Sequence, residues 1–280
     1  MVSHTISTAL SAGYQQLKTC TDNYKNETLW IMSKILDLDL SKLILNKSEI
    51  LTNQNYKLFL NLINRRKNGE PIQHILKSQS FYGYNFLIKK DVFIPRPETE
   101  VSIDIIKKNI GYKEQILEVG CGSGCISITL ELENLALQIL SIDINYQAVK
   151  LAEFNAKKYN CTKIQFMNID IFKMNYTNSY DMIISNPPYI PISEIPQLND
   201  EVKLYDPLSA LTDYDDGLLF YKYFANIGQY LLKKNGCMLL EFGGNNQVEA
   251  LKIIFDSPNY NCTFFNDLNG DPRFILIELL

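Results

Sequence analysis

The stretch Gln115-Ile116-Leu117-Glu118-Val119-Gly120-Cys121-Gly122-Ser123-Gly124-Cys125 decides how this chain is read. Its first residues suit a buried strand, and glycines then fall at alternate positions. A glycine loop where a strand turns into a helix lets backbone come close to a ligand, with N–H groups available to donate. The spacing here is GxGxG. The dinucleotide fingerprint GxGxxG would need glycine at position 125, which is cysteine. That missing glycine argues against a pyrophosphate-binding dehydrogenase. The bland alternative for any lone glycine loop is a tight turn with no ligand.

C-terminal to the loop, strands and helices alternate. The pattern predicts helices at 124–132, 145–159, 217–233 and 245–255, with strands at 137–143, 163–168, 180–185 and 237–242. Two further strands, 260–266 and 274–280, close the chain. With 115–119 these make seven strands. Such alternation predicts an α/β fold, a parallel sheet with helices on both faces. The last two strands have no helix between them, so they are expected to pair as an antiparallel hairpin at one edge.

N-terminal to the loop the pattern differs. Residues 1–75 read as helical. Leu58, Phe59, Leu62 and Ile63 form an apolar stripe, Trp30, Ile31, Ile35 and Leu38 form another, and Gly69 with Pro71 ends the later helix. Phe81 to Ile88 reads as two short strands around a turn. A helix is expected over 97–109, with Pro97 in its first turn and Glu98 and Glu100 at its positive end. The expected organisation is a helical substrate-recognition domain at 1–75, a β-hairpin linker at 76–96 and a catalytic domain at 97–280.

The bulk numbers fit. A chain of 280 residues suits about two domains. Lys+Arg 27 against Asp+Glu 31 gives −4, so net charge supplies no attraction to nucleic acid or anionic membrane. No apolar run approaches a membrane span, and residues 1–10 lack a basic, then apolar leader, so a cytoplasmic protein is expected. The six cysteines form no CxxC pair, and His4 and His74 are the only histidines. Structural zinc, a disulfide framework and a histidine-based nucleophile are therefore not expected, and no metal is assigned.

Two more strand tips carry carboxylates. Asp143 ends the second sheet strand, where it can accept both hydroxyl protons of a ribose. Asp170 follows the third, placed to meet an adenine. Together with the loop, these tips outline an adenosine site; the plain alternative is that Asp143 caps the next helix.

The fourth strand ends in Ser185-Asn186-Pro187-Pro188-Tyr189. Two prolines fix their own φ and donate no backbone hydrogen bond, which stiffens the loop. The Asn186 side-chain oxygen and the Pro187 carbonyl then form two fixed acceptors for a planar NH₂ group, and Tyr189 offers it a flat face. Accepting both N–H bonds of an amide pushes electron density back onto nitrogen. If the electrophile is the sulfonium methyl of S-adenosyl-L-methionine, the reaction is an in-line displacement driven by orientation, needing neither metal nor histidine.

Several separated motifs then resemble one family. Leu117 to Gly124 and Asn186-Pro187-Pro188-Tyr189 are similar to S-adenosyl-L-methionine-dependent amino-methyltransferases. More discriminating are Arg65-Arg66-Lys67-Asn68-Gly69-Glu70-Pro71 and Phe93-Ile94-Pro95-Arg96-Pro97-Glu98-Thr99-Glu100. With Tyr205-Asp206-Pro207, Asp216-Gly217-Leu218 and Gly270-Asp271-Pro272-Arg273-Phe274, they resemble the HemK/PrmC family over about residues 55–280. That family methylates the glutamine of the Gly-Gly-Gln motif in class I peptide chain release factors. The resemblance implies a Rossmann-like, seven-stranded methyltransferase fold with a small N-terminal helical domain that grips the release factor. It also implies that Gly120, Cys121, Gly122, Ser123 and Gly124 contact the methionine part of the cofactor and Asp143 the ribose. Ile171 would lie against the adenine, or pass that contact to Phe172, and Asn186, Pro187, Pro188 and Tyr189 would hold the substrate amide.

Some residues stay outside this scheme. Arg96 and Glu98 can be read as a helix start with a surface pair. Glu241, in Glu241-Phe242-Gly243, is expected to be structural, bonding backbone near the glycine loop. The main alternative activity is methylation of a base amine in nucleic acid, which would call for a basic groove and base flipping. A non-catalytic adenosine-ligand-binding protein is the alternative from another class.

Overall fold

The computed structural model describes residues 4–175 and 179–280. The chain begins with helices α1 (Ile6–Leu17), α2 (Tyr24–Leu36), α3 (Leu40–Leu45), α4 (Asn53–Lys67) and α5 (Ile72–Leu76). Strands β1 (Ser78–Phe81) and β2 (Tyr84–Leu87) follow, then a 3-10 turn at Pro97–Glu100 and helix α6 (Val101–Ile105). The sheet region holds β3 (Lys113–Val119), α7 (Cys125–Leu132), β4 (Ala136–Asp143), α8 (Tyr146–Lys158), β5 (Ile164–Asn168) and β6 (Tyr180–Ser185). Short helices α9 (Asp200–Tyr205) and α10 (Leu208–Leu211) lead to α11 (Leu219–Leu231), β7 (Leu232–Glu241), α12 (Asn245–Ile254), β8 (Tyr260–Asn266) and β9 (Pro272–Leu279). No helix among the described residues is long and apolar enough to cross a membrane.

Two compact units result: Met1–Ser78 with Asp200–Tyr205, and Gln79–Asn199 with Asp206–Leu280. In the first, Thr5, Asp39 and Thr52 each accept a backbone N–H at the start of their helix, satisfying groups that a helix leaves open. Phe59, Leu62, Ile63 and Arg66 are the buried residues of α4, whereas Leu58, read as part of the stripe, is 44% exposed. The helix phase explains this, because a 3.6-residue period carries position 58 off the face shared by 59, 62, 63 and 66. Arg66 is the buried cation of the unit, paired with Glu27 at 2.6 Å and Glu201 at 2.8 Å.

The second unit is a seven-stranded sheet in the order β5-β4-β3-β6-β7-β9-β8. β3 to β7 run parallel, while β9 is antiparallel to both β7 and β8. The expected terminal hairpin is present, with its second strand inserted between β7 and the edge strand β8. Alternation along the strands divides the core. Ile116, Met182 and Leu239 bury on one side of the sheet, and Leu117, Ile183 and Leu240 on the other.

The segment read as a linker over 76–96 behaves differently. Phe81 and Phe86 are fully buried in the same cluster as Ile103, Ile116 and Met182, so the hairpin is part of the second unit's core. Two buried aromatic side chains contribute roughly 1.5–3 kcal/mol each, which a free linker would forgo. The helix expected over 97–109 is broken into the 3-10 turn, one turn of α6 and a wider π turn at Ile106–Ile110.

Candidate active site

Sheet register places the tips side by side. Val119 lies opposite Ile142 on one flank and Ser185 on the other, and Asp143 lies opposite Asn168. The residues that follow these pairs, Gly120, Asp143, Asp170 and Asn186, therefore share one end of the sheet. The Ser185 hydroxyl donates to the Val119 carbonyl at 2.8 Å and ties the tips of β3 and β6 together.

Glycine is required in the loop for different reasons at each position. Gly120, Gly122 and Gly124 have φ of +82°, +52° and +80°, a region side chains avoid. A Cβ on Gly124 would also sit 3.0 Å from Ala152 Cβ, so this glycine lets α7 pack on α8. Over Gly122 there is open space, with nothing within 4 Å of a Cβ. Gly120 and Cys121 both donate N–H to the Ile142 carbonyl, at 2.8 and 3.0 Å. The Cys121 side chain packs against Val149 and Ala152, which holds the thiol in the core. Burial drives its thiol well above the ordinary range, an inert state.

Asp143 accepts the Gly122 N–H at 2.9 Å and the Asn145 N–H at 2.8 Å. It braces the loop and starts α8, the capping role of the plain alternative. Burial raises its pKa against the pull of those two amides. Asp170 caps its own 3-10 turn by accepting the Phe172 N–H at 3.0 Å. The Ile171 side chain is 4% exposed and lies in the core with Leu117, Val119 and Ile142. Phe172 is 38% exposed, its ring set against Phe220 and Tyr223 with centroids at 5.1 and 4.6 Å.

The cofactor fit rests on two buried side chains at the loop. Glu118 Oε2 accepts from the Ser141 hydroxyl, while Glu118 Oε1 and Ser123 Oγ have no hydrogen-bond partner. The first turn of α7 carries neither a capping side chain nor an acid. A ligand bearing both an ammonium and a carboxylate, as S-adenosyl-L-methionine does, matches that donor and acceptor set. Burial pushes the Glu118 carboxyl up to about 7, as expected for an acid short of a cation.

On the other side of Gly120 stands the Asn186 segment. A Cβ on Gly120 would lie 3.8 Å from the Asn186 carbonyl oxygen, so the two loops are neighbours. Asn186 Nδ2 donates to Thr99 Oγ1 at 3.2 Å, and Thr99 Oγ1 donates to Glu241 Oε2 at 2.7 Å. The Tyr189 hydroxyl reaches Glu241 Oε1 at 3.5 Å. Glu241, expected near the glycine loop, stands instead behind Asn186, because Leu240 pairs with Ser185 and carries Glu241 to the next position. Burial raises its carboxyl to about 7. Arg96 binds the buried Asp206 and lies 5.1 Å over the Phe93 ring.

Thr99, Asn155 and Gln247 were not singled out by sequence reading. Asn155 on α8 donates to the Ser123 carbonyl at 2.9 Å and accepts the Leu87 N–H at 2.8 Å, joining loop and hairpin. Gln247 donates to the Tyr189 carbonyl at 2.9 Å and accepts the Gly243 N–H at 2.8 Å. The only signal available in sequence was Thr99's place inside the Pro97-Glu98-Thr99-Glu100 motif.

Residues 97–197 match the family model described as Methyltransferase small domain. A solved methyltransferase from Pyrococcus furiosus shares the fold, with a TM-score of 0.54, 16% identity, and coverage of 78% of this chain and 98% of that one. The sheet, the loop and this match define an S-adenosyl-L-methionine-dependent methyltransferase. Residues 8–76 match a second model, PrmC N-terminal domain. A release factor glutamine methyltransferase from Fusobacterium nucleatum is 35% identical over 90% of this chain and 72% of its own length. One from Geobacter sulfurreducens is 31% identical over 91% and 89%. The chain belongs to the release factor glutamine methyltransferase family.

Proposed function

We propose that this protein transfers a methyl group from S-adenosyl-L-methionine to the side-chain amide nitrogen (N5) of the glutamine in the Gly-Gly-Gln motif of class I release factors. The observation that carries the reading is the adjacency of Asn186 to Gly120, which sets a stiff pair of acceptors beside the loop fitted to the cofactor. The names of the relatives support the same substrate. We further propose that the helical unit grips the release factor, that nucleic acid is not methylated, and that the enzyme works in the cytoplasm.

The cofactor, when bound, supplies a sulfonium-activated methyl group. The glycine loop, Gly120 to Gly124, lets its methionine part come close to backbone, with Glu118 and Ser123 offering the buried acceptor and donor. Asp143 takes the ribose hydroxyls, and Ile171 stands under the adenine. The Asn186 Oδ1 and the Pro187 carbonyl accept the two N–H bonds of the substrate amide, restoring nucleophilic density to its nitrogen. Pro187 and Pro188 hold those acceptors without the freedom to turn away, and the Tyr189 ring lies against the amide plane. Orientation supplies most of the acceleration, since well-placed reactants gain roughly 7–11 kcal/mol over free encounter.

The test is transfer of a tritiated methyl group to release factor, DNA and RNA offered separately. Label confined to release factor is expected. Label in nucleic acid with none in release factor would overturn the proposal in favour of a base amine methyltransferase.

A further inference from the structure

Thr99 lies between two side chains and is 3% exposed. It has one hydroxyl proton, which goes to Glu241 Oε2 at 2.7 Å. A carboxylate can only accept, so the proton has no other place in this chain of bonds. The lone pairs left on Thr99 Oγ1 can then receive only a donor, and Asn186 Nδ2 fills that role at 3.2 Å. An asparagine amide has the same shape either way round. Here a flipped amide would press Oδ1 against the Thr99 lone pairs and turn Nδ2 outward.

We propose that Glu241 and Thr99 are positioning residues: the carboxylate sets the direction of the Glu241–Thr99–Asn186 hydrogen-bond chain and keeps Asn186 Oδ1 outward as an acceptor. The inference rests on the reading of Asn186 as the acceptor for the substrate amide and adds what makes it one. Neither residue touches substrate.

The charge that drives the chain is itself held in place. Arg273 on β9 is the cation facing Glu241; it donates to the Phe242 carbonyl at 3.1 Å and to Asp267 at 3.3 Å. Glu98 opposes it from the 3-10 turn, while Tyr189 and Tyr221 face it with neutral hydroxyls. The Tyr221 hydroxyl donates to the Glu241 carbonyl at 2.7 Å, fixing the end of β7. A protonated Glu241 could donate to Thr99, freeing the Thr99 proton for Asn186 Oδ1 and reversing the chain. With the carboxyl raised to about 7, that reversal falls within the accessible pH range and gives kcat an acid limb.

Thr99→Val removes the hydroxyl at nearly constant shape, and Thr99→Ser keeps it. Steady-state kcat and KM on release factor and the cofactor Kd by calorimetry are to be measured for both. Thr99→Val is expected to lower kcat about 10- to 100-fold, the scale of a misplaced reactive group, with the cofactor Kd within about twofold. Thr99→Ser is expected to recover kcat to within about threefold of wild type. Glu241→Gln can donate or accept at Thr99, so it should lose the acid limb of the kcat profile. Wild-type kcat in Thr99→Val, or equal impairment in Thr99→Ser, would overturn the inference. The Thr99 pair decides the matter even if Glu241→Gln does not fold. Normal turnover by Asn186→Ala would instead remove the reading beneath it, whatever the Thr99 variants do.

Discussion

Gly217 and Tyr189 meet backbone to backbone: a Cβ on Gly217, whose φ is +77°, would lie 2.2 Å from the Tyr189 carbonyl oxygen. Gln247 donates to that same oxygen at 2.9 Å. The position of the Tyr189 ring thus depends on a glycine far along the chain. Gly217→Ala must either push the Tyr189 segment away or strain its own backbone. It is expected to lower kcat about 10- to 100-fold while the cofactor Kd stays near wild type. Single-turnover kinetics alongside calorimetry check this, and an unimpaired kcat would show that the contact relaxes harmlessly.

Asp143 braces Gly122 and, on the proposed reading, binds the ribose. Asp143→Ala should weaken cofactor binding by roughly 1.5–3 kcal/mol, the size of a hydrogen bond to a charged group. Isothermal calorimetry reads it directly. An unchanged Kd would contradict the ribose assignment and leave Asp143 as a helix cap.

Glu118 makes a prediction about pH and stability. Its carboxyl is raised to about 7 by burial, above the 4.5 of an unperturbed glutamate. Between those values the folded state holds a proton that the unfolded chain has released, so stability falls as pH rises through that window. Below it the contribution is fully present. Glu118→Gln has no proton to lose, so its melting temperature should rise relative to wild type between pH 5 and pH 8, approximate limits set by that linkage. Glu241 is shifted the same way, which leaves part of the slope in the variant. Parallel melting curves across this range would show that Glu118 ionises normally.

In the helical unit, a Cβ on Gly13 would lie 2.7 Å from Thr28 Cγ2 and 2.9 Å from Phe59 Cζ. Gly13→Leu should therefore destabilise that unit by about 1–3 kcal/mol through overpacking. Urea unfolding of the full chain tests it, with an unchanged midpoint as the contrary result.

The row of strand tips was legible in sequence because each tip carries a local signature: alternating glycines after Glu118-Val119, a carboxylate at Asp143, two prolines after Asn186. Periodicity then assigned the strands, and order along the chain implied the parallel sheet. What holds the tips was not legible. Thr99 meets Glu241 from 142 positions away, and Asn155 reaches Ser123 across 32. A lone Thr or Asn in a helical pattern carries no mark of such a partner. Glu241 was misplaced for the same reason, since only sheet register shows which tip it stands behind. Leu58 shows a smaller error, an apolar residue off its buried face.

The most direct test of the central claim is mass spectrometry of a class I release factor after incubation with this protein and S-adenosyl-L-methionine. One added CH₂, an increment of about 14 Da as covalent modification requires, is expected on the glutamine of the Gly-Gly-Gln motif and absent with Asn186→Ala. An unmodified glutamine, or methyl groups appearing on other residues only, would contradict the account.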